Sequence, residues 1–156
     1  MDQLVPEYYC DKQTGTTRIG NHFYTRNRYE YIKRKKEDKS YFINDETIRV
    51  LPYPETNIVR KNTFMFNKYI KVVYFDNSIT KIDDYAFFNC KNLETIYLPK
   101  NLIKLGKNSF AYCVNLKNIF IYDKLLEIGD FSFEKCVKIK NLELPNSVIK
   151  IGAGAF

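Results

Sequence analysis

The sequence predicts a solenoid, α/β by class, in which short parallel strands and one-turn helical segments wind into a right-handed coil. Three observations carry this. Phe87, Phe110, Phe133 and Phe156 stand 23 residues apart, as do Cys90, Cys113 and Cys136, and as do Ile82, Leu105, Ile128 and Ile151. Self-similarity at a fixed period of this size is the signature of stacked repeats. Between the cysteines lie "LETIYLP" (93–99), "LKNIFIY" (116–122) and "IKNLELP" (139–145), with the weaker "IKVVYFD" (70–76) one period earlier. Each reads L-x-x-I-x-L with alternation in its second half, the pattern of a half-buried strand. Finally, 45% hydrophobic residues in a chain of 156 is enough to build a core, while 28% charged residues interrupt every apolar run well short of a membrane span.

Taken in chain order, residues 1–45 fit no repeat. The stretch "HFYTRNRYEYIKRKKEDKSYFIN" (22–44) carries aromatics on both sides of a charged, turn-like centre. It is expected to form a hairpin that caps the N-terminal end of the solenoid, because stacked repeats need their open ends covered. Residues 46–156 are the solenoid. Its first coil is degenerate, since "ETIRVLPYPETNIVRKNTF" (46–64) follows "ETIYLPKNLIKLGKNSF" (94–110) with two residues inserted. The 23-residue repeats proper occupy 63–156. After each strand a second apolar pair returns in "NSITKI", "KNLIKL", "DKLLEI" and "NSVIKI". A third inward approach follows, where Phe and Cys at i and i+3 face the core from one tight helical turn. Glycine before that turn, as at Gly106, Gly129 and Gly152, is expected to supply a bend with positive φ. No coil buries its own Leu, Ile and Phe; stacked coils bury each other's.

The unit L-x-x-I-x-L-P-x-x-[LV]-x-x-I-G-x-x-[AS]-F-x-x-C resembles the leucine-rich repeat of the BspA-like, or Treponema-type, subfamily over about residues 63–156. Departures are local. Asp83 replaces the turn glycine, Asp76 and Tyr122 replace the proline found at Pro99 and Pro145, and Asn67 stands where a cysteine belongs. The resemblance implies a non-catalytic protein used in surface adhesion or in recognition of host or matrix proteins, with its cysteines serving as core filler. Spacing alone would also let a column of thiols about 5 Å apart reach disulfide or soft-metal geometry. Cys10 belongs to no repeat and is the more exposed thiol on this reading.

Catalysis is not expected. The lone histidine, His22, has no placed nucleophile beside it, and no phosphate loop, triad or metal-ligand spacing is present. No cofactor or metal follows from the sequence. With Ile96 and Leu98 pointing inward, Thr95, Tyr97 and Pro99 point out, and the alternation repeats in every coil. The central outward column is therefore Tyr74, Tyr97, Phe120, Glu143, flanked by Thr95, Asn118, Asn141 and Tyr122. Aromatics in file on a concave strand face exceed what a monomer commonly leaves open and are typical of protein contacts; they also stabilise a sheet as cross-strand pairs. The candidate partner is a protein.

One alternative is binding of nucleic acid or another acidic polymer, held by Arg26, Arg28, Lys33, Arg34, Lys35 and Lys36 among the tyrosines of the flank; another is a structural repeat fragment of a larger surface protein. The net charge of +7 is spread along the chain, however, as a surplus of two in residues 1–45 and of five in 46–156. The first residues show neither the basic start nor the apolar stretch of an export signal, so an intracellular location is the default, although the resemblance allows a cell surface. The last turn stops at Phe156, before the position where a cysteine would complete it, so that end is expected to continue in a longer parent or to associate end to end.

Overall fold

The computed structural model describes residues 7–10, 17–19, 22–24, 47–50, 52 and 55–156. Twelve strands occur among them: β1 (Glu7–Cys10), β2 (Thr17–Ile19), β3 (His22–Tyr24), β4 (Thr47–Val50), β5 (Ile58–Val59), β6 (Val72–Phe75), β7 (Lys81–Ile82), β8 (Thr95–Tyr97), β9 (Lys104–Leu105), β10 (Asn118–Phe120), β11 (Glu127–Ile128) and β12 (Lys150–Ile151). They form two sheets, one ordered β10-β8-β6-β4-β1-β2-β3 and one ordered β12-β11-β9-β7-β5. Each of the first four coils contributes one strand to each sheet, the last contributes only β12 to the smaller one, and all pairings between coils are parallel. The result is a parallel-strand solenoid of about four turns.

Register follows the repeat. Val73 pairs with Ile96 and Ile96 with Ile119, each step being one period. Thr47 pairs with Val72, an offset two residues longer. β1 continues the large sheet in parallel to β4, and β2 and β3 add antiparallel strands beyond it. Of the hairpin expected over 22–44, only His22–Tyr24 lies within the described residues, and it pairs back onto Thr17–Ile19.

The core is a set of columns. Ile70, Leu93 and Leu116, then Ile79, Leu102 and Leu125, then Ile82, Leu105 and Ile128 are all buried. Phe64, Phe87, Phe110, Phe133 and Phe156 stack in sequence at centroid distances of 4.5, 5.1, 5.6 and 5.5 Å with nearly parallel rings. Burying each such ring fully contributes roughly 1.5–3 kcal/mol.

The Phe–Cys corner departs from the expected helical turn. No helix occurs among the described residues; alternate backbone N–H groups instead go to two different places. In the third corner the N–H groups of Ser109, Ala111 and Cys113 donate three residues back, to Gly106, Asn108 and Phe110, whereas those of Asn108, Phe110 and Tyr112 donate to Asp130, Ser132 and Glu134 in the next coil. Two residues per corner take positive φ to allow this: Asn62 and Phe66, Tyr85 and Asn89, Asn108 and Tyr112, Phe131 and Lys135. An α-helical turn would keep these donors within its own coil. Here they join one coil to the next.

The glycines before the corner also serve a different purpose from the one expected. Gly106, Gly129 and Gly152 do not take positive φ; among the described glycines only Gly154 does. A Cβ on Gly129 would lie 2.7 Å from the Gly106 carbonyl carbon and 2.8 Å from the Lys107 nitrogen, so the constraint is the close approach of two backbones. Two strand expectations change as well. Pro99 is buried beside Leu98, not outward. Residues 139–145 form no strand on β10: Ile139 and Leu144 are only partly buried, against the burial of their equivalents Leu93 and Leu98 two coils earlier.

Two outcomes follow for urea unfolding. Gly129→Ala is expected to lose about 1–3 kcal/mol, since backbone atoms cannot yield to the added methyl; an unchanged midpoint would contradict the close-approach account. Ser132 donates to the Gly106 carbonyl at 3.2 Å, while buried Ser109 has no hydroxyl partner among the described residues. Ser132→Ala should therefore cost about 1 kcal/mol and Ser109→Ala should be neutral or stabilising, alanine already occupying the equivalent sites at Ala86 and Ala155.

Candidate functional site

The large sheet presents one continuous aromatic file to the outside. β6, β8 and β10 pair in register, so Tyr74, Tyr97 and Phe120 come to the same height on adjacent strands. Their rings stack at 4.5 Å with interplanar angles of 2° and 3°. Tyr97 is covered on both ring faces, while Tyr74 and Phe120 remain 38% and 46% exposed. Arg49 holds the next register position beyond Tyr74. Burial, then the neighbouring Tyr97, raise the Tyr74 phenol above its usual range.

Beside this file, the Asn118 amide donates to Thr95 Oγ1 at 3.1 Å. On the other side Tyr122 is half-buried with Lys100 Nζ 6.0 Å from its ring centroid. The structure thus brings Tyr74, Tyr97, Phe120, Thr95, Asn118 and Tyr122 together. Asn141 and Glu143 are exposed but lie in the segment that does not pair with β10, so no ladder bonds carry them onto the column. Arg26, Arg28, Lys33, Arg34, Lys35 and Lys36 lie outside the described residues.

The cysteine column is interior. Cys90, Cys113 and Cys136 are free and buried, and each Sγ donates to the phenylalanine carbonyl 26 residues earlier: Phe64 at 3.2 Å, Phe87 at 3.2 Å and Phe110 at 3.1 Å. The thiol is therefore a buried donor as well as a small apolar group. Burial first, then the neighbouring Cys90, raise the Cys113 thiol well above its usual range; burial, then Cys113, raise Cys136. Among the described residues no group of His, Cys, Asp or Glu is arranged to hold a metal ion, and no helix is long and apolar enough to cross a membrane.

Two surface features escaped the sequence reading. Phe66, Tyr85 and Tyr112, from three successive corners, each pack on Phe88 at centroid distances of 5.4–5.7 Å, the first two edge to face and Tyr112 tilted. Lysines also gather on the segments that lead into the large sheet. The signal for the second was present, since Lys68 and Lys91, and Lys117 and Lys140, are one period apart.

Stacked parallel coils with a covered core and a displayed strand face define a non-globular repeat protein of the solenoid class. Residues 38–156 match the family described as "BspA type Leucine rich repeat region (6 copies)", and the chain belongs to that family. Among solved structures it is similar to a leucine rich cell surface protein from Faecalibacterium prausnitzii A2-165, with 19% identity and a TM-score of 0.46 over 74% of this chain and 46% of that one. It is also similar to the T. pallidum leucine rich repeat protein, with 24% identity and a TM-score of 0.42 over 70% of this chain and 58% of that one. The chain thus spans about half the length of each. None of the curated proteins compared with it matches.

Protonated, enclosed thiols should be inert. In the folded protein at pH 8, Cys113 and Cys136 are expected to resist iodoacetamide and to be alkylated on unfolding, as peptide mass spectrometry would read; rapid native labelling would show that the column is accessible. Because the folded thiols keep their protons to higher pH than unfolded ones, their contribution to stability holds below about pH 9 and is lost as pH rises beyond it.

Proposed function

We propose that this chain is a non-catalytic protein-binding module, of recognition or adhesion type, that uses the outer face of its large sheet. Tyr74, Tyr97 and Phe120 form the centre of contact, with Thr95, Asn118 and Tyr122 beside them and Asn141 and Glu143 at the margin. The supporting observation is the open aromatic file: three large rings held rigidly by stacking lose little freedom on binding, which favours affinity. Aromatic residues also dominate the energetic centres of protein interfaces. Stacking within the sheet does not compete with this role, because it leaves the ring edges outward. β1, which continues the sheet past β4, is on this reading part of an N-terminal cap.

The reading is tested with a partner first captured on the immobilised wild-type chain, identified, and then titrated in purified form. Tyr97→Ser with Phe120→Ser should weaken it by more than about tenfold, the loss expected of interface anchors, with the unfolding transition still cooperative. Ile103→Ser with Leu126→Ser, exposed residues beside the small sheet, should leave affinity unchanged. The reverse pattern would move the site to the other sheet.

A further inference from the structure

Charge that is dispersed along the sequence is concentrated by the fold. The segments 66–71, 89–94, 112–117 and 135–140 occupy the same place in successive coils, from the second positive-φ residue of the Phe–Cys corner to the residue before the large-sheet strand or, in the last coil, before its unpaired equivalent. They hold seven lysines, Lys68, Lys71, Lys91, Lys117, Lys135, Lys138 and Lys140, against one acid, Glu94. The rest of residues 46–156 holds nine basic residues against ten acidic ones, so this corner accounts for the whole positive surplus of the repeats. Each of the seven lysines is exposed or partly exposed.

The corner and the aromatic file belong to one surface. Lys117 and Glu94, which pair with each other, stand next in sequence to Asn118 and Thr95, whose side chains bond beside the aromatic file; Lys71 and Lys140 hold the equivalent positions in the coils on either side. Glu94 shows how the corner treats a carboxylate. It pairs with Lys117 at 2.9 Å, and Lys117, with smaller contributions from Lys71 and Lys138, holds its carboxyl below the usual range.

Ring orientation decides between classes of acidic partner. Bases and sugars bind aromatic side chains through the ring face, yet both faces of Tyr97 are occupied at 4.5 Å by Tyr74 and Phe120. What Tyr97 leaves exposed is its ring edge with the phenol hydroxyl, a donor that favours carboxylate and carbonyl oxygens. The charges of this corner are all lysines, compact point charges that lack the planar fork suited to bidentate phosphate recognition.

Building on the sheet-face reading above, we propose that the partner is an acidic protein segment, lying in extended form across the large sheet with its carboxylates toward the lysine corner and its backbone and apolar side chains on the edges of Tyr74, Tyr97 and Phe120.

The test uses the full chain and a fluorescent synthetic peptide of alternating glutamate and valine, followed by anisotropy. The peptide should bind, and binding should weaken about tenfold from low to high salt as exposed charges are screened. Lys91→Gln, Lys138→Gln and Lys140→Gln combined should weaken it about tenfold or more, and Phe120→Ser should also weaken it. Lys107→Gln, Lys124→Gln and Lys150→Gln combined remove the same charge elsewhere and should have little effect. Equal loss from the two triple variants would reduce the binding to net charge and overturn the proposal. So would no binding of the peptide, tighter binding of a polyuridine RNA, or indifference to Phe120→Ser. If the captured partner is lost with Tyr97→Ser and Phe120→Ser but kept with the lysine-corner variant, the sheet face stands and the acidic chemistry fails.

Discussion

Every corner of the described solenoid is held by backbone hydrogen bonds that leave the coil in which they begin. Alternate N–H groups of each Phe–Cys corner reach the carbonyls of the next coil, and the strands on either side do the same through their ladders. Buried backbone groups must be paired, so a corner that sends half its donors outward is stable only when another coil is stacked at hydrogen-bonding distance. That spacing leaves no room for a Cβ at Gly106, Gly129 or Gly152, draws the thiols onto phenylalanine carbonyls, and places like residues over like.

The stacking has a cost in backbone conformation. Tyr85, Tyr112 and Phe131 adopt left-handed φ, which L-residues of this bulk rarely take and which costs about 1–2 kcal/mol each. Inter-coil hydrogen bonds and ring contacts such as those of Tyr85 and Tyr112 with Phe88 offset it. Asparagine, which tolerates the left-handed region best after glycine, stands at Asn62, Asn89 and Asn108 in the same two corner positions. Those asparagines are the trace that the double turn leaves in the sequence.

Because the interior is filled by columns of Leu, Ile, Phe and Cys, the proposed recognition uses the columns that face out. A solenoid multiplies whatever an outward position holds: one tyrosine becomes a file of stacked rings, and one lysine a basic ridge. Stacking and display are compatible, since Tyr97 spends both faces on its neighbours and keeps its edge for the proposed partner. The proposed acidic ligand rests on this division between face and edge.

The sequence by itself determined the solenoid, the identity of its core columns and the alignment of Tyr74, Tyr97 and Phe120, because a strict 23-residue period states which side chains share a height and alternation states which point inward. It did not determine the backbone path of the corner: helical and double turns both put Phe and Cys inward at i and i+3 and differ only in where the N–H groups go. Nor did it show that Pro99 turns in or that residues 139–145, with Asn141 and Glu143, leave the ladder, since both depend on how neighbouring coils press on one another. The lysine corner was dispersed along the chain and assembled only in space. Periodicity records which residues are equivalent; the tertiary structure decides what those equivalents touch.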